Sequence, residues 1–140
     1  MEPLFIIHLI ARIHEQFNKN IIQELKNHNI NDLVPSHGDI LYVLSLNSRL
    51  TMNELAKSIN RSKPTVTILT RKLETTGYIR KTGNENDTRS FFVELTEKGK
   101  NLIPILYKIS EKIIKKTFAG MNDQQKSSGM EFLFRIKNNL

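Results

Sequence analysis

Residues 77–99 read Gly77-Tyr78-Ile79-Arg80-Lys81-Thr82-Gly83-Asn84-Glu85-Asn86-Asp87-Thr88-Arg89-Ser90-Phe91-Phe92-Val93-Glu94-Leu95-Thr96-Glu97-Lys98-Gly99. The side chains alternate here with the period of a strand. Tyr78 to Lys81 reads as one strand and Ser90 to Leu95 as another, with Phe91, Val93 and Leu95 on a single face. Between them, Thr82 to Arg89 is polar and holds Gly83, two asparagines and Asp87. The segment therefore predicts a β-hairpin with a charged tip. Gly77 stops whatever precedes it, and Thr96 is a capping residue for a helix that follows.

Working outward, the pattern on both sides is helical. Upstream, Ser62 is an N-cap, Pro64 sits in the first turn where its missing N–H costs nothing, and the helix runs to Thr76. Asn60-Arg61-Ser62 is a short turn, and Thr51-Met52-Asn53-Glu54 before it is a full capping box opening onto Leu55, Ala56 and Ile59. An earlier helix starts near Ser36, with Asp39 in a capping-box-like position and Ile40, Leu41, Val43 and Leu44 on its buried side. The first helix, Leu4 to about Asn29, repeats Ile6, Leu9, Ile10, Ile13, Phe17, Ile21 and Leu25 at spacings of three and four. Leu4, Phe5, Ile7 and Ile22 fall off that stripe, so this helix needs apolar cover on more than one side. Downstream, the Thr96 helix carries Leu102, Ile105, Leu106, Ile109, Ile113 and Ile114 to about Phe118, with Pro104 in its early turns. Gly120 breaks it, and Asn122 to Gln125 caps a last helix expected to turn Met130, Leu133 and Ile136 inward.

Composition narrows the function. The chain has 140 residues, enough for one domain, and no cysteine, which excludes disulfides, thiolate metal sites and thiol redox sensing. No apolar run approaches the roughly 18 residues of a membrane span. The N-terminus lacks the basic region of a secretory signal, so a cytoplasmic protein is expected. The formal charge is +7. Between Arg49 and Lys100 stand 11 Lys and Arg against 6 Asp and Glu, so this stretch holds +5 of the total. A positive middle between nearly neutral flanks is the footprint of a polyanion-binding surface, or else a solvated basic face.

Helix, capped helix, short turn, capped helix and hairpin make up the winged helix-turn-helix order, in which the second helix of the pair enters a DNA major groove. On that helix Val66, Leu69 and Leu73 point to the core, and Pro64, Thr67, Ile68, Arg71 and Thr75 point away. Ile68 either meets a thymine methyl or packs under a neighbouring loop. Arg71 reaches guanine or phosphate, and Ser62, Lys63 and Thr65 suit phosphate at the helix start. At the hairpin tip Arg89 enters a narrow minor groove, oriented by a bidentate pair with Asp87, or forms only a surface ion pair.

The run Asp87-Thr88-Arg89 followed by Leu95-Thr96-Glu97-Lys98-Gly99, within Leu50 to Gly99, resembles the multiple-antibiotic-resistance regulator (MarR) family. The likeness extends over nearly the whole chain, since that family also has a long first helix and two C-terminal helices. It implies that Arg89 is the wing arginine with Asp87 its partner, and that Ser62 to Arg71 reads DNA. It also implies that the terminal helices form a dimer interface and that small aromatic anions bind between them and the DNA-binding lobe. Ile68 departs from the polar or basic residue more usual at its position.

The expectation is a single domain over 1–140, with a winged-helix lobe at about 33–99 and dimerisation helices at 1–30 and 100–140. The fold is mainly α with a small β-hairpin wing. Its expected function is sequence-specific binding of double-stranded DNA as a homodimer on a pseudo-palindromic operator, repressing transcription. The alternative is a protein–protein interaction module that does not read DNA. The DNA-binding set is Ser62, Lys63, Pro64, Thr65, Thr67, Ile68, Arg71, Asp87 and Arg89. His14, Phe17, His37 and Tyr42 are candidates for a small-molecule effector cleft, or else core and rim residues. His8 and His14 are six apart and form no i, i+4 pair, so no metal site is expected. No cofactor, catalytic constellation or membrane association is expected either.

Overall fold

The computed structural model describes residues 2–140. Its elements in chain order are α1 (Phe5–Asn27), α2 (His37–Leu46), β1 (Leu50–Thr51), α3 (Met52–Ile59), α4 (Lys63–Thr75), β2 (Ile79–Gly83), β3 (Phe91–Leu95), α5 (Glu97–Thr117) and α6 (Asp123–Asn139). The three strands form an antiparallel sheet in the order β1-β3-β2. The wing is therefore more than the expected hairpin. Leu50 and Thr51 add a third strand by pairing with Val93 and Phe92, a contact too short to leave a period in the sequence.

Most caps form as their residues dictate. Thr51 Oγ1 accepts the Glu54 N–H at 3.2 Å while the Glu54 carboxylate accepts the Thr51 N–H at 2.8 Å. Ser62 Oγ accepts from Thr65 N–H, and Asn122 with Gln125 closes a second capping box. Ser36 does not cap α2. It already has helical φ and ψ, and its side chain makes no cap bond; instead the Val34 N–H donates to His37 Nδ1 at 3.1 Å.

The core lies where α2, α3, α4 and the sheet converge, on Ile40, Leu41, Leu44, Leu55, Val66, Leu73, Ile79 and Val93. α5 joins it through Leu102 and Ile109 and α1 through Leu25. Pro104 sits within α5 without ending it. α6 is different, because it buries no residue. Met130 and Leu133, expected inward, are 44% and 52% exposed, and Ile136 is half-buried. Their apolar stripe stays largely uncovered among the described residues.

The base of the wing is set by a close backbone approach. Gly99, buried in the first turn of α5, sits so near the Tyr78 carbonyl that a Cβ would fall 2.1 Å from that oxygen. Thr96 Oγ1 accepts the Gly99 N–H at 3.2 Å and donates to the Gly77 carbonyl at 2.5 Å. Gly77 itself has φ +82°, a left-handed conformation that favours glycine. This explains the Leu95-Thr96-Glu97-Lys98-Gly99 run physically: the threonine bridges two elements and the glycine lets them touch. Gly99→Ala should lower stability by about 3 kcal/mol, the upper part of the usual range for overpacking, read as a lowered Tm in a thermal melt.

Candidate nucleic-acid interface

α3, the turn and α4 form a rigid pair because the turn has no freedom. Asn60 takes the left-handed conformation at φ +51°, which asparagine tolerates, and the Arg61 N–H returns to the Ala56 carbonyl at 3.1 Å. α4 then buries Val66, Thr70 and Leu73, with Leu69 half-buried. Thr70 was absent from the expected inward set. It enters the core because its hydroxyl donates to the Val66 carbonyl at 2.8 Å, so burial leaves no orphaned donor.

The opposite face of α4 is open. Pro64, Ile68, Arg71 and Thr75 are exposed, Thr67 is half-buried, and Thr67 Oγ1 donates to the Lys63 carbonyl at 2.9 Å. Ile68 is 68% exposed, which rules out packing beneath a loop within this chain. Ser62, Lys63 and Thr65 stand exposed at the helix start.

The wing tip is built on side-chain-supported turns. Asn84 Oδ1 accepts the Asn86 N–H at 3.1 Å, and Asp87 Oδ1 accepts the Arg89 N–H at 2.9 Å. The expected guanidinium pair between Asp87 and Arg89 is not formed. Asp87 is engaged by the backbone of Arg89, which leaves the side chain of Arg89 exposed, with no carboxylate within 4.0 Å among the described residues.

Pairing sorts the basic charge of the lobe. Arg80 bonds Glu94 across the strands at 2.7 Å, Lys81 bonds Glu74, Lys98 bonds Asp32, and Lys100 bonds Glu97. Among the described residues, Arg49, Lys57, Arg61, Lys63, Arg71, Lys72 and Arg89 have no such partner. Arg49 instead stacks its guanidinium 4.0 Å over the Phe92 ring. The helix-turn-helix, the approach to β1 and the wing tip thus carry the unneutralised charge.

The MarR family model matches residues 33–91, from the joint before α2 to the start of β3. Over this lobe the chain is similar to the MarR family. An HTH-type transcriptional regulator of Bacillus subtilis, YybA, is 26% identical over 121 residues, covering 85% of this chain and 81% of YybA. The fold is that of S. aureus MepR in its DNA complex, with a TM-score of 0.86, 24% identity and coverage of 95% and 96% of the two chains. It is also that of Bordetella bronchiseptica BpsR, at TM-score 0.80, 19% identity and coverage of 93% and 91%. The BpsR structure concerns regulation of its DNA binding by 6-hydroxynicotinic acid.

The chain also holds a cavity of about 400 Å³ between α1, α2 and α5. Aliphatic side chains such as Ile21, Leu41, Leu106 and Ile113 wall most of it. Of the four cleft candidates, His37 and Tyr42 line it and His14 and Phe17 do not. His14 lies on the exposed side of α1, bonded to Asn18. Sequence spacing placed it on a helix but not on which side of the neighbouring helices.

His37 is 2% exposed, and its Nδ1 accepts the Val34 N–H, which makes it the neutral tautomer protonated on Nε2. Burial, and then the Lys72 ammonium, push its pKa below the ordinary value of 6.5, while Asp32 opposes them. The folded chain therefore binds this proton less readily than the unfolded one. The stability it contributes is complete above the unfolded value and is lost as pH falls through and below it. His37→Asn keeps a side-chain acceptor but takes up no proton. Its unfolding free energy should decline less than the parent's between about pH 7 and about pH 5, measured by denaturant titration.

Proposed function

We propose that this chain is a sequence-specific double-stranded DNA-binding repressor that acts in the cytoplasm as a homodimer on a pseudo-palindromic operator. The observation that carries the reading is the joint exposure of Ile68 and Arg71 on the free face of α4, within a lobe whose unpaired cations cluster on the helix-turn-helix and wing. α4 enters the major groove, where the Ile68 side chain meets a thymine methyl and Arg71 pairs with a base edge or phosphate. Ser62, Lys63, Pro64, Thr65 and Thr67 place the helix start against the phosphate backbone, the dipole adding to the attraction. Arg89 reaches the minor groove from a tip held in shape by Asp87. An interaction module would have no use for unneutralised cations on these surfaces, and the MepR structure carries DNA on the same fold.

Residues 33–99 form the DNA-binding lobe on this reading, and residues 1–30 and 100–140 the dimerisation elements. Support for the dimer comes from apolar exposure concentrated on α1 and α6. Ile7 and Ile13 on the first, and Phe132, Leu133 and Phe134 on the last, lie between 42% and 65% exposed. So many large apolar side chains exposed on two helices call for cover by a partner. A two-fold axis through these helices presents two α4 helices about one DNA turn apart, roughly 34 to 36 Å. The cavity beside His37 and Tyr42 receives a small-molecule effector, as regulation of BpsR by 6-hydroxynicotinic acid suggests for this fold.

Footprinting on genomic fragments, followed by titration at several salt concentrations, tests the central claim. Affinity for the protected site should fall about a thousandfold or more between roughly 50 and 200 mM salt if a dimer contacts about 6 to 10 phosphates. Arg71→Ala should cost about 1 to 3 kcal/mol and relax preference at one base pair. A chain that prefers no fragment over random duplex at any salt is an interaction module instead.

The dimer has its own test. In sedimentation at micromolar concentration the chain should run at twice its 16.2 kDa mass. Truncation after Gly120 should yield a monomer that has lost tight operator binding. A full-length monomer overturns the two-fold arrangement.

A further inference from the structure

Four elements meet in a polar cluster that takes no part in the proposed DNA contacts. The Tyr78 hydroxyl donates to Asp32 Oδ1 at 2.8 Å. Lys98 Nζ lies 3.6 Å from Asp32 Oδ2, donates to the Thr76 carbonyl at 2.6 Å, and stands 4.2 Å over the Tyr78 ring. Asp32 belongs to the joint between α1 and α2, Thr76 closes α4, Tyr78 immediately precedes β2, and Lys98 is in the first turn of α5. The joint before α2 is thereby tied to the root of the wing and to the end of the recognition helix at one point.

The tie has leverage. Tyr78 is 5% exposed, so its ring cannot swing without disturbing the core, and its hydroxyl needs an acceptor where it ends. β2 runs five residues from Ile79 to Gly83, a lever of roughly 16 Å at strand rise. A small rotation at Tyr78 is thus magnified at the tip that carries Arg89. Asp32 also has neighbours that matter: Leu33, Val34 and Pro35, the next three residues of the joint, line the cavity beside His37. The joint therefore touches the cavity on one side and the wing root on the other.

We propose that Asp32 is a positioning residue for DNA binding, holding Tyr78 so that the wing meets DNA at the angle that lets Arg89 reach it. Movement of the joint at the cavity then moves the wing through this bond. The inference rests on the DNA-binding reading above.

A double-mutant cycle separates positioning from mere stability. Tyr78→Phe removes the hydroxyl and keeps the buried ring, and Arg89→Ala removes the wing contact. Measured by fluorescence anisotropy on the footprinted duplex, Tyr78→Phe should weaken binding roughly two- to thirty-fold, the range for coupling carried through packed networks. Its effect should largely vanish in the Arg89→Ala background, and persist in full in the Arg71→Ala background. Asp32→Ala should reproduce the pattern, with the Asp32→Ala/Tyr78→Phe double variant no worse than either single one. Thermal melts identify any variant that simply unfolds; Asp32→Asn, which retains an acceptor for the Tyr78 hydroxyl and loses only the charge beside Lys98, should then keep close to the parent's affinity, and a loss as large as that of Tyr78→Phe overturns the inference. Losses of Tyr78→Phe and Arg89→Ala that add overturn the inference while leaving the DNA reading intact. A parent chain that binds no duplex overturns both.

Discussion

Thr96 Oγ1 bonds two backbones at once, accepting the amide of Gly99 in α5 and donating to the carbonyl of Gly77 at the end of α4. That arrangement holds only because Gly99 carries no Cβ to strike the Tyr78 carbonyl. Through this contact the end of α4, the root of the wing and the start of α5 share one fixed point. The relative placement of α4, the wing and α5 is referred to it. Buried Ile79, Val93 and Leu95 seat the base of the sheet on the core beside that point.

Around this frame, polar groups divide between tying the molecule together and remaining free. Arg80, Lys81, Lys98 and Lys100 are neutralised by neighbouring carboxylates and serve the fold. Arg71 and Arg89 are not, and both project from the elements that face away from the core. Asp87 illustrates the economy of the tip: engaging the Arg89 amide rather than its guanidinium, it shapes the turn and leaves the cation available. His37 shows the same principle in the interior, where an imidazole is held neutral by accepting a backbone N–H beside a largely apolar cavity. Apolar surface divides similarly, since the lobe satisfies its own core while α6 buries nothing.

Much of this was legible in the residues. Capping boxes at Thr51 and Asn122, the N-cap at Ser62 and the left-handed glycine at Gly77 all stand where the sequence places them, because each depends on partners within about four positions. Ser36 does not cap α2 because it already has helical φ and ψ, a conformation from which its side chain makes no cap bond. Thr70 was missed because a threonine reads as polar until its hydroxyl is known to bond its own helix.

What the sequence alone determined, then, is the order and type of the elements, most of the outward set on α4 and the family that the lobe resembles. These follow from period, caps and a motif, all of which are local. Only the tertiary structure decided that Leu50 and Thr51 join the sheet, that His37 and Tyr42 share a cavity from which His14 and Phe17 are absent, and that Tyr78 bonds Asp32 across 46 positions. It also decided which cations are free. Such pairings depend on where separate elements come to rest against one core, and the chain carries no periodic signal for contacts made between them.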